Sequence, residues 1–423
     1  MDENTREVTE VGACRVCGNK NLIPILSLGA QYVSGFVSSE SEQTIKVPLD
    51  LYLCEAKSGG CGLLQLKHSA PGDVMYRQYW YLSGLNESMC KALRDVTMDV
   101  ERAASLRAGN SVLDIGCNDG TLLRSYSTKD LRLIGIDPAK NLVQFSSKGT
   151  TKIINDYFNA EAIERELPGV KFKAITSIAM FYDLDAPNSF VSDIAKVLHP
   201  EGIWVIQMSY LPLMLETNAF DNICHEHLEY YSLSSLERLL ERHGFAVFDV
   251  STNDVNGGSI RVSCCFEKNK GLFSKPEALA RVQKMRGEEK KLGLDGRKIY
   301  QEFAKRVENL KRKTVEFIKA EKAKGKTIFV YGASTKGNTL LQTYGLDRTL
   351  ITAAAERNPD KYGKRTVGTL IPIISEDEAR KAKPDYFLVL PWHFLESFLS
   401  REKEYLMSGG KFIVPLPEFR VIP

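Results

Sequence analysis

From residue 111 onward, short apolar runs separated by polar, helix-like stretches dominate the chain, and their order predicts the architecture. Between Ser111 and about Val250 the runs SVLDIG, LRLIGID, FKAITSIAM, GIWVIQM and FAVFDV alternate with segments of helical periodicity such as Pro187 to Leu198 and Ser234 to His243. This alternation predicts a largely parallel sheet covered on both faces. After VNGGSIRVSCCF, a strongly charged stretch from Lys275 to Lys324, broken near Gly293, predicts two long helices. The end of the chain returns to alternation through TIFVYGAS, a helix from Lys336 to Tyr344, TLITAAAE, the polar turn NPDKYGK, DYFLVLP and KFIVPLP, which together predict a second, smaller α/β unit. Ahead of the first sheet, Tyr76, Tyr79, Trp80 and Tyr81 lead into a helix expected from Glu87 to Arg107. The chain divides on this reading into residues 1–72, 73–255 and 256–423, with an α/β fold class throughout the last two.

Composition supports several cores. A chain of 423 residues exceeds the size at which one hydrophobic core keeps growing, and 43% hydrophobic with 26% charged residues is a globular balance. A formal net charge of +3 is too small to argue for nucleic acid or an anionic membrane as partner. The polar start MDENTREVTE and the lack of any long apolar run lead to the expectation of a cytoplasmic protein. There, nine cysteines are not a disulfide framework, and their spacing has to explain them.

Cys14 and Cys17, three positions apart, and Cys54 and Cys61, seven apart, supply four thiolates, the number and type that close a tetrahedral structural zinc site. The alternative is two unrelated pairs of small buried residues. The second loop is longer than usual, but a glycine follows the second cysteine of each pair, where the backbone has to turn.

The segment from Val112 to Gly120, VLDIGCNDG, is a strand running into a glycine-bearing loop, and Asp137 closes the next strand in the place where an acid takes ribose hydroxyls. A pyrophosphate would be repelled by Asp114 and Asp119, and the loop holds only Gly116 and Gly120 where a dinucleotide fingerprint needs three glycines. The sulfonium and ammonium of S-adenosylmethionine are favoured instead by Asp114, Asn118 and Asp119, with Asp137 and Pro138 at the ribose and Asp156, Tyr157 and Phe158 flanking the base. Two of the six histidines flank a glutamate in Cys224-His225-Glu226-His227, a cluster suited to proton transfer and lacking helical zinc spacing.

Taken together, CRVCG with its second cysteine pair, VLDIGCNDG, DNICHEHLEYYSL, VNGGSIR, VYGASTKGNTLLQ and ERNPDKYGKRTVGTLIPI resemble the bacterial three-domain sugar C-methyltransferases, including the nucleotide-sugar 3-C-methyltransferases. The resemblance runs nearly end to end. It implies a small zinc-binding amino-terminal domain, a central Rossmann-like S-adenosylmethionine domain, and a carboxyl-terminal Rossmann-like α/β domain that helps enclose a nucleotide-diphosphate sugar. It places the essential glutamate and base on Glu226 and His227 and a catalytic tyrosine on Tyr81 or Tyr79, of which Tyr81 is preferred and Tyr79 assigned to substrate. Cys224 stands where members of the family carry tyrosine, and Asp183 where they carry histidine near the end of the fourth strand.

The chemistry so implied is removal by His227 of a proton beside the ketone of a 4-keto-deoxy sugar, with C3 as the methylated carbon. Tyr81, aided by His225, donates to the enolate oxygen, and Glu226 holds the imidazole or a sugar hydroxyl. Ser334, Lys336 and Gly337, in a loop opening a helix with no acidic side chain in it, suit the diphosphate. Lys361 and Lys364 are expected in solvent, and His393 in a packed aromatic cluster. The rival classes are an O-methyltransferase, a nucleotide-sugar oxidoreductase using NAD, which the lack of a glycine fingerprint at Gly332 disfavours, and a zinc adaptor for nucleic acid, for which Lys46, Lys57 and Lys67 are too dispersed.

Overall fold

The computed structural model describes residues 8–33, 35–42, 45–76, 79 and 81–423; Trp80 of the aromatic segment lies outside the described residues. Near the amino terminus, strands β1 (Ile23–Tyr32), β2 (Lys46–Leu53) and β3 (Leu64–Leu66) form an antiparallel sheet. In β2 the buried positions Val47, Leu49, Leu51 and Leu53 alternate with more exposed ones, the period that sets one face of a strand on a core. Helix α1 (Glu87–Ala104) starts where the Asn86 side chain accepts the Ser88 amide and stops where Ser105 turns left-handed, short of the expected Arg107.

The central unit contains β4 (Ser111–Ile115), β5 (Arg132–Ile136), β6 (Lys152–Ile154), β7 (Phe172–Ile178), helix α2 (Pro187–Val197), β8 (Leu198–Ser209), β9 (Glu229–Tyr230), helix α3 (Leu233–Glu241), β10 (Phe245–Asn253) and β11 (Ser259–Phe266). Its seven-stranded sheet has the order β10-β11-β8-β7-β4-β5-β6, parallel from β8 to β6, with β11 antiparallel to both its neighbours. Every residue of β4 is buried, as a strand covered on both faces requires. With β5 on one side and β7 on the other, β4 marks the point where the winding reverses, and the crevice at its carboxyl end is where such sheets bind ligands. Past residue 255, Ile260, Val262 and Cys264 of β11 complete a buried face between β8 and β10, so the central sheet extends to Phe266.

Strand β9 leaves that sheet and pairs antiparallel with β3, so the segment after the His-Glu-His turn belongs to the amino-terminal sheet. Helices α4 (Pro276–Leu292) and α5 (Lys298–Ala323) follow, interrupted as expected at Gly293, which caps α4 in the left-handed region. The buried Glu289 carboxylate of α4 accepts the Leu233 and Ser234 amides at the start of α3 and the Tyr210 hydroxyl, which fixes the helix after the turn.

The last unit, β12 (Ile328–Tyr331), helix α6 (Thr335–Tyr344), β13 (Ala354–Glu356), β14 (Ile373–Ser375), β15 (Tyr386–Val389), β16 (Lys411–Val414) and β17 (Arg420–Ile422), forms a six-stranded sheet of order β14-β13-β12-β15-β16-β17, with β17 alone antiparallel. A short pair, Phe36–Val37 with Arg365–Thr366, ties the two ends of the chain together. Among the described residues no helix is long and apolar enough to cross a membrane.

Candidate active site and metal centre

The four cysteines of the amino-terminal unit converge. Cys14 and Cys61 sulfurs lie 3.4 Å apart, Cys17 and Cys54 sulfurs 3.5 Å apart, and all four within 4.8 Å of one another. A tetrahedral zinc with bonds of about 2.3 Å has sulfur–sulfur edges of about 3.8 Å, so the residues fit the metal. Each knuckle closes as the spacing requires: the Gly18 amide donates to the Cys14 carbonyl and the Gly62 amide to the Cys54 carbonyl, both glycines at positive φ, and the Cys61 amide donates to the Cys54 sulfur. Hydrogen bonds from Cys14 and Cys61 hold the Cys54 thiol far down while theirs are pushed up, so these thiols do not all ionise without a cation among them.

At the carboxyl ends of β4 and β7 lies a cavity of about 370 Å³, lined by Asp114, Gly116, Asn118, Asp137, Pro138, Asp156, Tyr157 and Phe158 at one end and by Tyr76, Tyr79, Asp183, Glu226, His227 and Lys336 at the other. Asp137 accepts the Asn118 amide at 2.9 Å and the Ala139 amide at 2.8 Å, which fixes its carboxylate at the end of β5 with lone pairs left for ribose hydroxyls. Asp114 is buried beneath the loop, accepts the Thr176 hydroxyl at 2.6 Å, and is pushed up to about 7 by burial. A side chain at Gly116 would press on Met180, so the loop stays open only with glycine there. The set of acidic and carbonyl groups suits a sulfonium and an ammonium.

Two residues assigned to cofactor do other work. Asp119 accepts the Gly84 and Thr121 amides and does not line the cavity, and Gly120 packs on Ser146. Asn118 lines the cavity and also bonds the Tyr81 carbonyl and the Ser83 amide, so Asn118 and Asp119 clamp the aromatic segment onto the cofactor loop.

In the turn from Cys224 to His227, closed by the His227 amide on the Cys224 carbonyl, consecutive side chains diverge. Glu226 and His227 face the cavity, whereas His225 turns back to the amino-terminal sheet with its Nε2 3.0 Å from the Val47 carbonyl oxygen, so it is not placed to donate to substrate. A carbonyl only accepts, so the 2.8 Å contact from His227 Nδ1 to the Asn222 oxygen puts the proton on Nδ1 and leaves Nε2 as the basic nitrogen, without a hydrogen-bond partner among the described residues. Burial and Lys336 press His227 down to about 3, so the ring is neutral. The expected support of the imidazole by Glu226 is absent, since Asn222 takes that role. Glu226 itself is pushed up to about 7 by burial, partly offset by Lys336.

Tyr79 and Tyr81 both line the cavity. Tyr79, whose backbone is held by Asn141, sits where Glu226 and Asp183 act on its hydroxyl, with Tyr76 beside it. Tyr81 lies 43% exposed at the cofactor end, where Asp119 and Cys90 are the charges it feels. Sequence reasoning missed Tyr76 as a site residue, although its place in the aromatic cluster was the available signal.

The glycine loop of the last unit is also closed. The Glu356 carboxylate accepts the Ala333 amide, Lys361 bonds both Glu356 and the Ala333 carbonyl, the Ser334 hydroxyl caps the Gly337 amide, and side chains at Gly332 and Gly337 would strike Pro391 and Leu390. An acidic side chain therefore does block this loop, neither Ser334 nor Gly337 lines the cavity, and Lys361 is paired rather than solvated. Only Lys336 of that trio reaches the cavity, beside Glu226 rather than at an open diphosphate cradle. His393 packs between Trp392 and Phe394, in the aromatic cluster expected of it.

A zinc-knuckle unit, a cofactor crevice at a winding reversal and a proton-transfer turn at its far end define a methyltransferase with accessory domains on both sides. Comparison with known proteins agrees: residues 14–76 match a model described as "Putative zinc binding domain", 86–250 a methyltransferase domain, and 254–417 a C-methyltransferase C-terminal domain. The chain is 33% identical over 98% of its length, and 98% of the relative's, to the C-methyltransferase NovU of Streptomyces niveus. It belongs to this three-domain C-methyltransferase family: an S-adenosylmethionine-dependent enzyme that methylates carbon, with zinc in its amino-terminal domain. The ubiquinone biosynthesis O-methyltransferase of Chromobacterium violaceum is 27% identical over 36% of this chain and 71% of its own. Among solved structures, magnesium protoporphyrin IX methyltransferase of Synechocystis with bound SAH covers 42% of this chain and 87% of its own at 12% identity and a TM-score of 0.34. The plantazolicin methyltransferase BpumL in complex with SAH covers 41% and 82% at 15% identity and 0.33.

Proposed function

We propose that the substrate is a nucleotide-linked 4-keto-deoxy sugar and that the methylated carbon is C3, beside the ketone. The observation that carries this reading is His227: a neutral ring, its Nδ1 proton spent on Asn222, presents a free Nε2 to the same cavity that the cofactor loop lines. A carbon nucleophile needs such a base, because the C–H beside a carbonyl is the acid available. S-adenosylmethionine, when bound, supplies the electrophilic methyl group.

His227 Nε2 takes the proton, the C–H electron pair becomes the enolate double bond, and the carbonyl pair moves onto oxygen. The enolate carbon would be the nucleophile for the methyl group that a cofactor held by the β4 loop and Asp137 would supply, the bond pair staying on its sulfur. Tyr79 stands at the sugar end as a hydroxyl donor, whereas Tyr76 gives its hydroxyl proton to the Glu226 carbonyl at 3.3 Å, and the aromatic segment that carries Tyr79 is clamped to the cofactor loop, which brings both reactants to one geometry. The middle and carboxyl-terminal units, the latter helping to enclose the sugar nucleotide, act together because side chains of both meet in this cavity.

The test is hydrogen exchange in deuterated water with a panel of nucleotide 4-keto-deoxy sugars, in enzyme loaded with S-adenosylhomocysteine so that methyl transfer cannot follow. One hydrogen beside the ketone is expected to exchange, and His227→Asn is expected to abolish exchange while still binding the cofactor product. Unchanged exchange in that variant would assign the base elsewhere.

A further inference from the structure

The lysine at the far wall of the cavity has no place in the mechanism so far. Lys336 is the second residue of α6, in the carboxyl-terminal unit, and its side chain crosses into the cavity between Glu226 and Asn256. Its Nζ makes one long contact, 3.5 Å, to the Asn256 carbonyl, and no carboxylate lies within ion-pairing distance of it among the described residues. An ammonium has three donors, and in this half-buried side chain two of them are left for whatever occupies the cavity. The positive end of α6, with Thr335 also lining the cavity, adds to the same local potential. The anionic partners near it, Asp221 and Glu226, face it without touching it. Asp221 spends one oxygen on Trp392 and keeps the other buried and unbonded.

We propose that Lys336 is a catalytic residue whose ammonium holds the substrate's carbonyl oxygen and stabilises the enolate oxyanion. This rests on the enolate reading above. As His227 Nε2 takes the proton, the carbonyl π pair moves onto oxygen, and an otherwise unpartnered Lys336 proton hydrogen-bonds that oxygen without leaving nitrogen. Negative charge then develops beside a half-buried cation on the cavity wall, where such a donor acts more strongly than in water. Burial lowers the lysine's proton affinity while the carboxylates of Asp221 and Glu226 raise it, so those neighbours help keep the ammonium charged. The residue also makes the accessory domain part of the chemistry, since the cation for a reaction centred on the middle domain comes from the last one.

The experiment compares Lys336→Met, Lys336→Gln and Lys336→Arg in the full-length zinc-loaded enzyme, again bound to S-adenosylhomocysteine. It follows exchange of the hydrogen beside the ketone at saturating keto-sugar nucleotide and, separately, the substrate's Kd. Exchange is expected to fall on the order of 10²–10³-fold in the Met and Gln variants and by less than about tenfold in Arg, with Kd changed less than about fivefold. Wild-type exchange at saturation in Lys336→Met, or a loss confined to Kd, would make the lysine an anchor for the nucleotide and overturn the proposal. Loss of S-adenosylhomocysteine binding in both Met and Gln variants would make it structural and overturn it as well. If the wild-type enzyme exchanges no hydrogen at all, the enolate reading itself fails. If it exchanges and Lys336→Met matches it, only the role of the lysine fails.

Discussion

Glu226→Gln separates activity from stability in a way that the buried carboxyl dictates. Glu226 is 9% exposed, and burial, opposed in part by Lys336, raises its proton affinity from 4.5 to about 7. The folded protein therefore holds a proton that the unfolded chain has released between these two values, and stability falls as pH rises through that window. At about 1.36 kcal/mol for each tenfold change in affinity, the full penalty above pH 7 is about 3 kcal/mol, and below pH 4.5 it is absent.

Among the groups facing Glu226, Asp183 is pushed up by burial and by Glu226 itself, and Tyr79 and Cys224, raised by burial from ordinary values already above the window, stay neutral. Glutamine keeps the shape and removes the penalty. Thermal unfolding of both proteins at pH 5 and pH 8 should show the variant gaining little at the lower pH and about 3 kcal/mol at the higher, roughly 5–10 °C for a domain of this size. Methylation should fall, because an ionised Glu226 helps keep Lys336 charged. The wild-type rate should rise with pH through about 7, and the variant should lack that limb. Equal stability differences at both pH values would refute the buried-carboxyl argument, whatever happens to the rate.

Zinc removal, or Cys54→Ser, should loosen the amino-terminal sheet and, through the β3–β9 pairing, lower kcat as well; metal content, near-UV dichroism and rate measured together check this. Arg15→Met removes hydrogen bonds to the Leu66 carbonyl at 2.6 Å and the Ser69 hydroxyl at 2.9 Å and strips Glu229 of a cation 3.8 Å away, so a loss of about 3–5 kcal/mol in urea unfolding is expected. Asp137→Asn should weaken S-adenosylhomocysteine binding about 10- to 100-fold by calorimetry, the worth of one or two hydrogen bonds to a charged group. Tyr79→Phe should lower kcat on the order of 10²-fold, and Tyr81→Phe far less; the reverse order would return the donor role to Tyr81.

How far the molecule could be read from its sequence depends on where each residue's partner lies. Periodicity located β4, β5, β7, β8 and β10 of the central unit and β12, β13, β15 and β16 of the last, the break at Gly293 and the start of α2 at Pro187, because these are decided by neighbours within a few positions. The zinc cluster was legible for a related reason: two cysteine pairs announce each other by ligand type even across the 47 positions from Cys14 to Cys61. The misreadings share the opposite property. His225 looked equivalent to its neighbours until the Val47 carbonyl, 178 positions away, claimed it. Nothing near Gly332 forecast that Glu356, 23 residues past Ala333, would fill the loop.

Tyr79 and Tyr81 are indistinguishable by spacing. They separate only because the Asn118 and Asp119 side chains pin the backbone around Tyr81 and Gly84 against the cofactor loop, which leaves Tyr79 facing Glu226. Lys336 is the extreme case: as the second residue of a helix in one domain it reads as a surface cation or a phosphate ligand, and only the docking of that domain onto the His-Glu-His turn makes it a half-buried charge on the cavity wall. Catalytic groups drawn from distant segments are set by tertiary docking rather than local pattern. A turn with three titratable groups in a row therefore marks where chemistry occurs, and the fold decides which of the three takes part.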